Sequence, residues 1–499
     1  MEQENKMTVA TILAKYVSKV VLFIMIGISL YFYFVFRSFD VFPLVWGLYA
    51  LGGILFVALL SGLLCFIPKI PNVIKIIVMI LNILISASLA FASWYLPSIR
   101  SQIEKSFAEI PLQGVEEINF YVLKDASSFD DYANEIFIIQ KALDAENQNY
   151  ALLVAKRELH SEALNTLFAE DIFEAVDMLY AQTGDVLVMN ASYVPLIESI
   201  TGYEDFSNKV DIVYTVHKKL QVSTEVNSVD VTNKPFHVLI VGNDKWADDV
   251  VTTGRTDLNL LATIHPQTKQ VSVISLPQDA YIPNACLYDK NDKLTYAGIY
   301  GIECTEQSIE KFLDIDIRYY VVVNFTSLVN IVDAVDGITI DNPYTFTTST
   351  SETFEEGILH LTGKDALAYV SEKKNLENGE SSRGKHQTLV LQALIDTFTE
   401  ASIITKVDQL LDVLDDSFKS NLPLNELYAL AQMQLDDMAI WNVVSYTLTG
   451  ESVEDYVASL GETSTYSVVN LNEAQIEFVK GVMQEIMDGK EVTQQELPE

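Results

Sequence analysis

The fold is decided by residues 238–282, which have the sequence VLIVGNDKWADDVVTTGRTDLNLLATIHPQTKQVSVISLPQDAYI. Apolar runs at residues 238–241, 258–264 and 271–276 predict three β-strands, because each run is short and is bounded by turn residues. The Pro-Gln-Thr sequence at residues 266–268 predicts a turn between the second strand and the third. Wholly apolar runs are typical of strands buried on both faces of a sheet. The stretch therefore predicts the central sheet of an α/β domain.

Polar side chains cluster where these strands end. They are Asp244, Arg255, Asp257, Gln278 and Asp279. Mg²⁺ takes oxygen ligands, and the guanidinium of arginine forks onto phosphate oxygens, so this mixture suits a metal ion together with a phosphate. Charged residues are also common at strand ends on protein surfaces, so helix capping and surface ion pairs remain an alternative explanation.

The charge of the chain is strongly acidic and unevenly distributed. The formal net charge is -36 over 499 residues, yet residues 1–100 carry seven of the 32 Lys and Arg and only three of the 68 Asp and Glu. The rest of the chain is therefore more acidic than the chain as a whole. Nucleic-acid phosphates require a basic protein surface, so we expect no nucleic-acid partner.

Three long apolar segments occur within residues 17–97. The first covers residues 17–36, and no charged residue occurs in residues 41–68 or in residues 76–99. A helix needs roughly 20 residues to cross a hydrocarbon core of about 30 Å. We predict three transmembrane helices, followed by the main part of the chain.

Lysines indicate the orientation of these helices. Lys6, Lys15 and Lys19 precede or begin the first segment, whereas Lys69 and Lys75 flank the loop between the second and third. The positive-inside rule then predicts a multi-pass cell-membrane protein with residues 1–16 as a cytoplasmic tail and everything after residue 97 outside the cell.

Two cysteines, Cys286 and Cys304, follow the membrane segments. An oxidising exterior favours their pairing, and the resulting loop would add roughly 3 kcal/mol of stability on the chain-entropy model. Two unpaired thiols are the alternative. Neither cysteine has a histidine at zinc-site spacing, so we predict a candidate disulfide and no metal at this position.

Alternating strand and helix patterns at residues 105–232 predict a small extracellular α/β accessory domain. Its predicted elements are strands at residues 117–122, 150–155 and 185–189 and helices at residues 133–144 and 164–179. No catalytic constellation is evident among them.

Residues 235–488 predict a larger α/β domain with a central mixed sheet flanked by helices. A capping box formed by Thr362 and Asp365 predicts a helix start, and Arg383 and Gln387 share one face of the next helix. Further predicted elements are a strand at residues 319–325 and helices at residues 328–335, 404–418, 424–434 and 473–487. We predict a loose tail for residues 489–499.

Several short motifs occur in a fixed order along this larger domain. They are Gly242-x-Asp244, Gly254-Arg255-Thr256-Asp257, Ser275-Leu276-Pro277-x-Asp279, Leu294-Thr295-x-Ala297-x-x-x-Gly301, Leu361-Thr362-Gly363-x-x-Ala366-Leu367-x-Tyr369-Val370 and Arg383-x-x-x-Gln387. Their order and spacing resemble the LytR-CpsA-Psr (LCP) family, and the three membrane segments with an accessory domain resemble its CpsA-type capsule and cell-wall members from Gram-positive bacteria.

The resemblance implies an enzyme, a Mg²⁺-dependent phosphotransferase. Such proteins transfer a capsule or other wall glycopolymer from a polyprenyl-diphosphate carrier to peptidoglycan or another wall acceptor. They hold the lipid in an apolar tunnel beneath the sheet. Besides the membrane, the polysaccharide-synthesis proteins are implied as further partners.

The resemblance also implies roles for individual residues. Asp244 and Asp257 match the Mg²⁺-binding acids. The catalytic group would consist of Arg255, Asp279, Arg383 and Gln387. The substrate-binding group would consist of Arg255, Lys373, Arg383, Lys385 and Gln387.

The sequence departs from the family pattern on the cationic side of this site. Gln278 and Ser371 stand where arginine is usual, Lys373 and Lys385 replace arginines, and Glu380 stands where aspartate is usual. Lysine keeps the charge but loses the bidentate fork of arginine. We therefore expect reduced activity as a glycopolymer transferase. The alternative is a weakly active or inactive paralogue that binds the lipid-linked polymer and regulates its synthesis.

Overall fold

The structure is a computed structural model that describes residues 12–38, 44–108, 115–141, 144–198, 200–219, 230–243, 254–377, 379–400 and 419–498, with isolated positions from 403 to 413. Asp244, residues 1–11 of the predicted tail and most of the helix predicted at residues 404–418 lie outside the described residues. Contacts divide the chain into two compact units, Met1–Ala108 with Pro423–Ala439 and Glu109–Leu422 with Ile440–Glu499.

The described part of the first unit contains three helices that are long and apolar enough to cross a membrane. They are α1 (Ser18–Ser38), α2 (Leu44–Phe66) and α3 (Asn72–Ala108), with mean hydropathies of 2.2, 2.3 and 2.4 over their best windows. The Ser61 hydroxyl on α2 donates to Asn82 Oδ1 on α3 at 3.0 Å, a polar contact of the kind that joins helices in membranes. The three predicted apolar helices are confirmed.

The second unit begins with a five-stranded sheet of strand order β3-β2-β4-β1-β5, which we call the accessory region (residues 115–219). Its strands are β1 (Val115–Leu123), β2 (Ile136–Gln140), β3 (Asn165–Ala169), β4 (Val186–Asn190) and β5 (Val210–Lys219). Its helices are α4 (Ala145–Glu158), α5 (Ile172–Tyr180), α6 (Val194–Glu198) and α7 (Phe206–Lys209). Strands β2, β3 and β4 are parallel, and β1 runs antiparallel to β4 and β5.

Three of the predicted elements in the accessory region are wrong. The helix predicted at residues 133–144 contains strand β2, and the strand predicted at residues 150–155 lies inside helix α4. The single helix predicted at residues 164–179 is strand β3 followed by helix α5. Asp171 separates the two, because its side chain accepts the backbone N–H groups of Phe173 and Glu174 and so caps a new helix.

The main sheet of the second unit has six strands in the order β16-β11-β6-β7-β8-β17. These are β6 (Phe236–Asn243), β7 (Leu258–His265), β8 (Gln270–Ser275), β11 (Ile317–Asn324), β16 (Lys419–Ser420) and β17 (Asn442–Thr447). The pairs β6–β11 and β8–β17 are parallel, whereas β6–β7 and β7–β8 are antiparallel. The predicted central mixed sheet is confirmed.

Four two-stranded sheets surround the main sheet. They are β9 (Tyr281–Asn284) with β10 (Lys290–Lys293), β12 (Ile338–Asn342) with β15 (Gly357–Leu361), β13 (Phe346–Thr347) with β14 (Thr353–Phe354), and β18 (Gly450–Val457) with β19 (Gly461–Leu471). The helices are α8 (Leu294–Ala297), α9 (Ile302–Leu313), α10 (Phe325–Ala334), α11 (Gly363–Ser371), α12 (Glu380–Thr399), α13 (Leu424–Asp437), which belongs to the first unit, and α14 (Glu473–Met487). The predicted capping box of Thr362 and Asp365 is present at the start of α11.

The tail predicted to be loose packs against the main sheet as far as residue 498. Val492 is only 2% exposed, and its N–H donates to Gln270 Oε1 at 2.7 Å. The Ser445 N–H donates to Gln494 Oε1 at 2.8 Å. The prediction of a loose tail was wrong, because glutamine side chains rather than regular secondary structure hold this segment.

Candidate functional site

The candidate site begins with the Arg255 turn, which we define as residues 254–257. The Asp257 N–H donates to the Gly242 carbonyl at the end of β6 at 2.9 Å. The Gly254 N–H donates to the Gly298 carbonyl at 2.9 Å, and a Cβ at Gly298 would lie 2.4 Å from the Gly254 oxygen. Only glycine fits at residue 298, so the turn is held closely between β6 and the segment after β10.

The Arg255 guanidinium lies 3.8 Å from Asp257 Oδ1, which is too long for a strong hydrogen bond. The buried Nε of Arg255 has no hydrogen-bond partner in the part of the chain that the structure describes. A guanidinium with a weak internal partner keeps its donors available for an anionic ligand.

Asp279, which follows β8, is shared by two lysines. Lys293 Nζ lies 3.0 Å from Asp279 Oδ1, and Lys373 Nζ lies 3.7 Å from Oδ2. The sequence singled out Asp279 and Lys373 but missed Lys293. The available signal was its position directly before the Leu294-Thr295 motif.

Tyr296 connects the Arg255 turn with Asp279 electrostatically. Burial raises the pKa of this phenol, the charge of Arg255 opposes that rise, and the carboxylates of Asp292 and Asp279 add to it. Lys293 Nζ lies 5.9 Å from the centre of the Tyr296 ring. Arg255, Asp279 and Lys293 therefore all lie near Tyr296.

Helix α12 brings Arg383 and Gln387 to the same edge of the sheet. A Cβ at Gly384 would lie 2.9 Å from Ser275 Oγ and 2.6 Å from Thr447 Cγ2, so the first turns of α12 pack tightly on the ends of β8 and β17. Arg383 and Gln387 are half-buried there, whereas Lys385 is exposed to solvent.

Glu372 fixes the loop that carries Lys373. Its carboxylate is 4% exposed and accepts the N–H groups of Lys373 at 3.0 Å, Asn375 at 2.9 Å and Ser349. Burial alone would raise the pKa of Glu372, but these donors outweigh burial and hold the pKa below its usual value. Of the two positions where a neutral residue replaces the usual arginine, Gln278 is buried and Ser371 is exposed at the end of α11.

Four buried neutral oxygen atoms belong to the Arg255 turn and to residues hydrogen-bonded with it, directly or through one another. The buried atoms Thr256 Oγ1, Asn259 Oδ1, Gln278 Oε1 and Thr295 Oγ1 have no hydrogen-bond partner among the described residues. Backbone hydrogen bonds tie their residues together, from Thr256 N–H to Thr295 O at 3.2 Å and from Thr295 N–H to Gln278 O at 2.9 Å. Mg²⁺ is bound in proteins by one or two carboxylates with neutral oxygens and water, so this donor chemistry fits the ion.

The described residues hold no group of three or more His, Cys, Asp or Glu side chains arranged for a metal. Of the predicted metal ligands Asp244 and Asp257, only Asp257 lies among the residues that the structure describes. The assignment of Asp244 stays a prediction, as does the role of Glu380, whose side chain is likewise outside the description.

An apolar layer lies between the main sheet and α12, next to the polar site. Its buried members are Leu260, Ala262, Val271 and Val273, and its partly buried members include Val238, Ile240, Leu391, Ile395 and Trp441. A surface of partly buried apolar side chains beside a cationic site suits a ligand with a polar head and an apolar chain.

Cys286 and Cys304 are joined in the structure, with their Cα atoms 5.9 Å apart. This separation lies within the normal disulfide range. The bridge ties the turn after β9 to helix α9 and contributes no group to the site.

Comparison with known proteins places the chain in a family. The model of the LytR_cpsA_psr family matches residues 201–490. The chain is 28% identical over 267 residues to the polyisoprenyl-teichoic acid–peptidoglycan teichoic acid transferase TagU of Bacillus licheniformis, covering 50% of this chain and 86% of that protein. It is 30% identical over 233 residues to TagU of Enterococcus faecalis, covering 46% of this chain and 74% of that protein.

Among solved structures, TagV of Bacillus subtilis is 28% identical, with a TM-score of 0.42 and coverage of 51% of this chain and 98% of TagV. The family match extends over more than half of this chain, and it contains the site residues described above. The chain therefore belongs to the LytR-CpsA-Psr family.

Proposed function

We propose that this protein transfers a glycopolymer from a polyprenyl-diphosphate carrier to a cell-wall acceptor. The observation that carries the proposal is a set of three cations beside the apolar layer, in which Lys293 and Lys373 pair with Asp279 and Arg255 pairs with Asp257. A diphosphate with a polyprenyl chain has the charge and the apolar tail that these two surfaces match. The relatives named as transferases of polyisoprenyl-linked teichoic acid to peptidoglycan support the same reaction class.

The proposed reaction moves the glycopolymer phosphate from the carrier to an acceptor hydroxyl. The acceptor oxygen forms a new bond to the phosphorus that carries the glycopolymer, and its proton passes to water. The bond from that phosphorus to the bridging oxygen breaks, the bridging oxygen keeps the electron pair, and polyprenyl phosphate leaves. Arg255, Lys293, Lys373 and Arg383 bind and orient the diphosphate and stabilise the negative charge that develops on that oxygen. A Mg²⁺ held by Asp257 and Asp244, with the four buried neutral oxygens, would add positive charge at the phosphate oxygens.

The reaction is proposed to take place outside the cell. The lysine distribution favours a cytoplasmic N-terminus, three membrane crossings and an extracellular site, where both the lipid-linked polymer and the wall acceptor occur. We propose capsule or another wall polysaccharide as the polymer.

A second function, binding of the lipid-linked polymer to regulate its synthesis, is favoured by one specific observation. Gln278 places a neutral amide in the site where the family pattern has arginine, and Ser371 adds no charge at the exposed end of α11. A site with fewer cations can retain a diphosphate yet stabilise the transition state less well.

The test uses the purified full-length protein in lipid nanodiscs with a radiolabelled polyprenyl-diphosphate oligosaccharide and peptidoglycan. Transfer predicts label covalently attached to peptidoglycan and polyprenyl phosphate released, with loss of both upon chelation of Mg²⁺. Tight retention of intact substrate with no labelled peptidoglycan would support the regulatory function instead. If the protein neither binds nor transfers the substrate, both the transferase function and the regulatory function are contradicted.

A further inference from the structure

We propose that the accessory region positions the Arg255 turn, acting through residues 292–301. This segment comprises the end of β10, helix α8 and the turn that follows. One side of it contacts the candidate site and the other side is buried against the accessory region. The kinetic consequence rests on the proposed function, whereas the structural coupling does not.

On the site side, the segment holds the backbone on both sides of Arg255. The Gly298 carbonyl accepts the Gly254 N–H at 2.9 Å, and the Thr295 carbonyl accepts the Thr256 N–H at 3.2 Å. The two backbones are in close contact here, because a Cβ at Gly298 would collide with the Gly254 oxygen. A displacement of the segment must therefore move the Arg255 turn.

On the other side, the segment is part of the hydrophobic core of the accessory region. Tyr296 is 5% exposed and Ile299 is 2% exposed, and both pack in one cluster with Tyr121, Tyr193 and Phe206. The same cluster includes Val457, Leu460 and Val468 of the β18–β19 hairpin. Close-packed interiors transmit displacement, because they have few voids to absorb it.

A chain of hydrogen bonds crosses the same boundary. The Tyr193 hydroxyl donates to the Tyr300 hydroxyl at 3.2 Å, and the Tyr300 oxygen lies 3.3 Å from Ser459 Oγ. Ser459 donates to Asp292, which is 1% exposed. The chain thus begins in the accessory region and ends at a buried carboxylate of β10.

Asp292 connects this chain to a cation of the site. Its carboxylate accepts the Asn284 amide at 2.9 Å and the backbone N–H of Lys293 at 3.0 Å. The Lys293 side chain then pairs with Asp279 at 3.0 Å. Two groups of the site, the Arg255 turn and Lys293, therefore depend on the position of one segment.

The test compares Tyr300→Phe and Tyr193→Phe with Tyr203→Phe in the full-length protein in nanodiscs. The control removes a hydroxyl that donates to Asp177 at 3.0 Å within the accessory region itself. Hydrogen–deuterium exchange is measured at residues 254–257 and, as an internal reference, in strand β4. Loss of one buried hydrogen bond predicts about fivefold faster exchange at residues 254–257 in Tyr193→Phe, with β4 unchanged. Tyr300→Phe loses its contacts with both Tyr193 and Ser459, so its exchange there should rise at least as much.

Transfer kinetics give a second measurement. We expect kcat/KM to fall about fivefold in Tyr193→Phe, at least as much in Tyr300→Phe, and to be unchanged in Tyr203→Phe. The proposal is overturned if exchange at residues 254–257 is unchanged or rises no more than in β4, because a merely structural role loosens both alike. If the wild type transfers no polymer, the proposed function fails, while the exchange experiment still decides the positioning role.

Discussion

The accessory region and the edge of the main sheet use positive charge in opposite ways. In the accessory region, lysines pair one to one with carboxylates at the surface, as Lys124 does with Asp211 at 2.6 Å and Lys209 with Asp205 at 2.7 Å. Exposed pairs of this kind contribute at most about 1 kcal/mol to stability. Their charges are already balanced, so they leave nothing for a charged ligand.

At the edge of the main sheet, Arg255, Lys293 and Lys373 form ion pairs with Asp257 and Asp279. Lys293 and Lys373 share Asp279, and Arg255 makes only a long contact with Asp257. The side chain of Lys293 is only 14% exposed, so water screens its charge poorly. We call Arg255, Lys293 and Lys373 the cation cluster and propose that it binds an anionic ligand, in a protein whose net charge is -36.

The largest expected effect on the transfer rate comes from removing Arg255 from the cation cluster. Arg255→Ala removes a preorganised charge from the diphosphate and should lower the transfer rate about 100- to 1,000-fold. The matched control is Lys124→Ala, which removes a cation from a balanced surface pair and should leave the rate unchanged. Equal rates in the two variants would contradict a role for the cation cluster in transfer.

The next largest effect on the transfer rate is expected when further cations are added at the site. The triple change Gln278→Arg, Ser371→Arg and Lys373→Arg restores forked donors, each charge-assisted hydrogen bond adding about 1.5–3 kcal/mol before screening by water. We expect a transfer rate about 100-fold higher, with Mg²⁺ affinity unchanged. Ser127→Arg, an added cation on the accessory surface, is the control. A triple variant no faster than this control would show that these positions do not limit the rate.

A smaller effect is expected at the cation that the sequence did not reveal. Lys293→Met keeps the length of the side chain but removes its charge, and Lys373 remains beside Asp279. Steady-state kinetics should show a rate about tenfold lower. Lys209→Met, in a balanced pair, should have no effect. A rate near that of the wild type would limit Lys293 to a structural ion pair.

The disulfide should affect stability without affecting transfer. Replacing Cys286 and Cys304 by serine should lower the free energy of unfolding by roughly 3 kcal/mol, because the unfolded chain gains freedom. Thermal unfolding and the transfer assay measure the two properties. Two titratable thiols in the denatured, unreduced wild type would instead show that the bridge does not form.

The smallest effect concerns pH and again has opposite signs in the two regions. Burial raises the pKa of Asp292 from 3.8 to about 6, although Ser459 and Asn284 donate to it. The folded state then binds the proton more tightly, so the stability contribution is present below pH about 4 and is lost as pH rises through 6. Asp292→Asn should abolish a pH-dependent difference of about 1–3 kcal/mol.

Asp211 serves as the contrasting residue for that measurement. The hydrogen bond from Lys124 lowers the pKa of Asp211, so its contribution is present above the unfolded pKa and is lost as pH falls. Thermal unfolding from about pH 2 to pH 7 should therefore show opposite signs: the contribution of Asp292 is lost as pH rises from about 4 through 6, and that of Asp211 is lost as pH falls below about 4. Equal signs would contradict the assignment.

The sequence predicted the main sheet well and the accessory region poorly, for a physical reason. The runs of β7 and β8 are short and are bounded by the turn at residues 266–268, whereas the Ile-Phe-Ile-Ile run of β2 is apolar throughout and has no period that separates strand from helix. Helix α4 contains an apolar run that resembles a strand, yet its buried residues Asn147, Gln148, Ala151, Leu152 and Ala155 follow helical spacing. Because Asn147 and Gln148 are polar, the buried face of α4 does not appear as a helical repeat of apolar residues in the sequence.

The site could be predicted where its residues belong to sequence motifs, as Arg255, Asp279 and Arg383 do. Lys293 was missed although it directly precedes the Leu294-Thr295 motif, whereas the Tyr193–Tyr300 contact depends on a tertiary approach across 107 residues of sequence. No local pattern encodes such an approach, since it is determined by how two sheets pack together. Asp244 and Glu380 remain predictions from the family pattern.

The most direct test of the central claim is an experimental structure of the full-length protein bound to a polyprenyl diphosphate. The account predicts both phosphate groups within hydrogen-bond distance of Arg255 and Lys293, with the polyprenyl chain along the apolar layer beneath α12. A diphosphate bound away from these cations, or an apolar chain in that layer with its phosphates turned to solvent, would contradict the account.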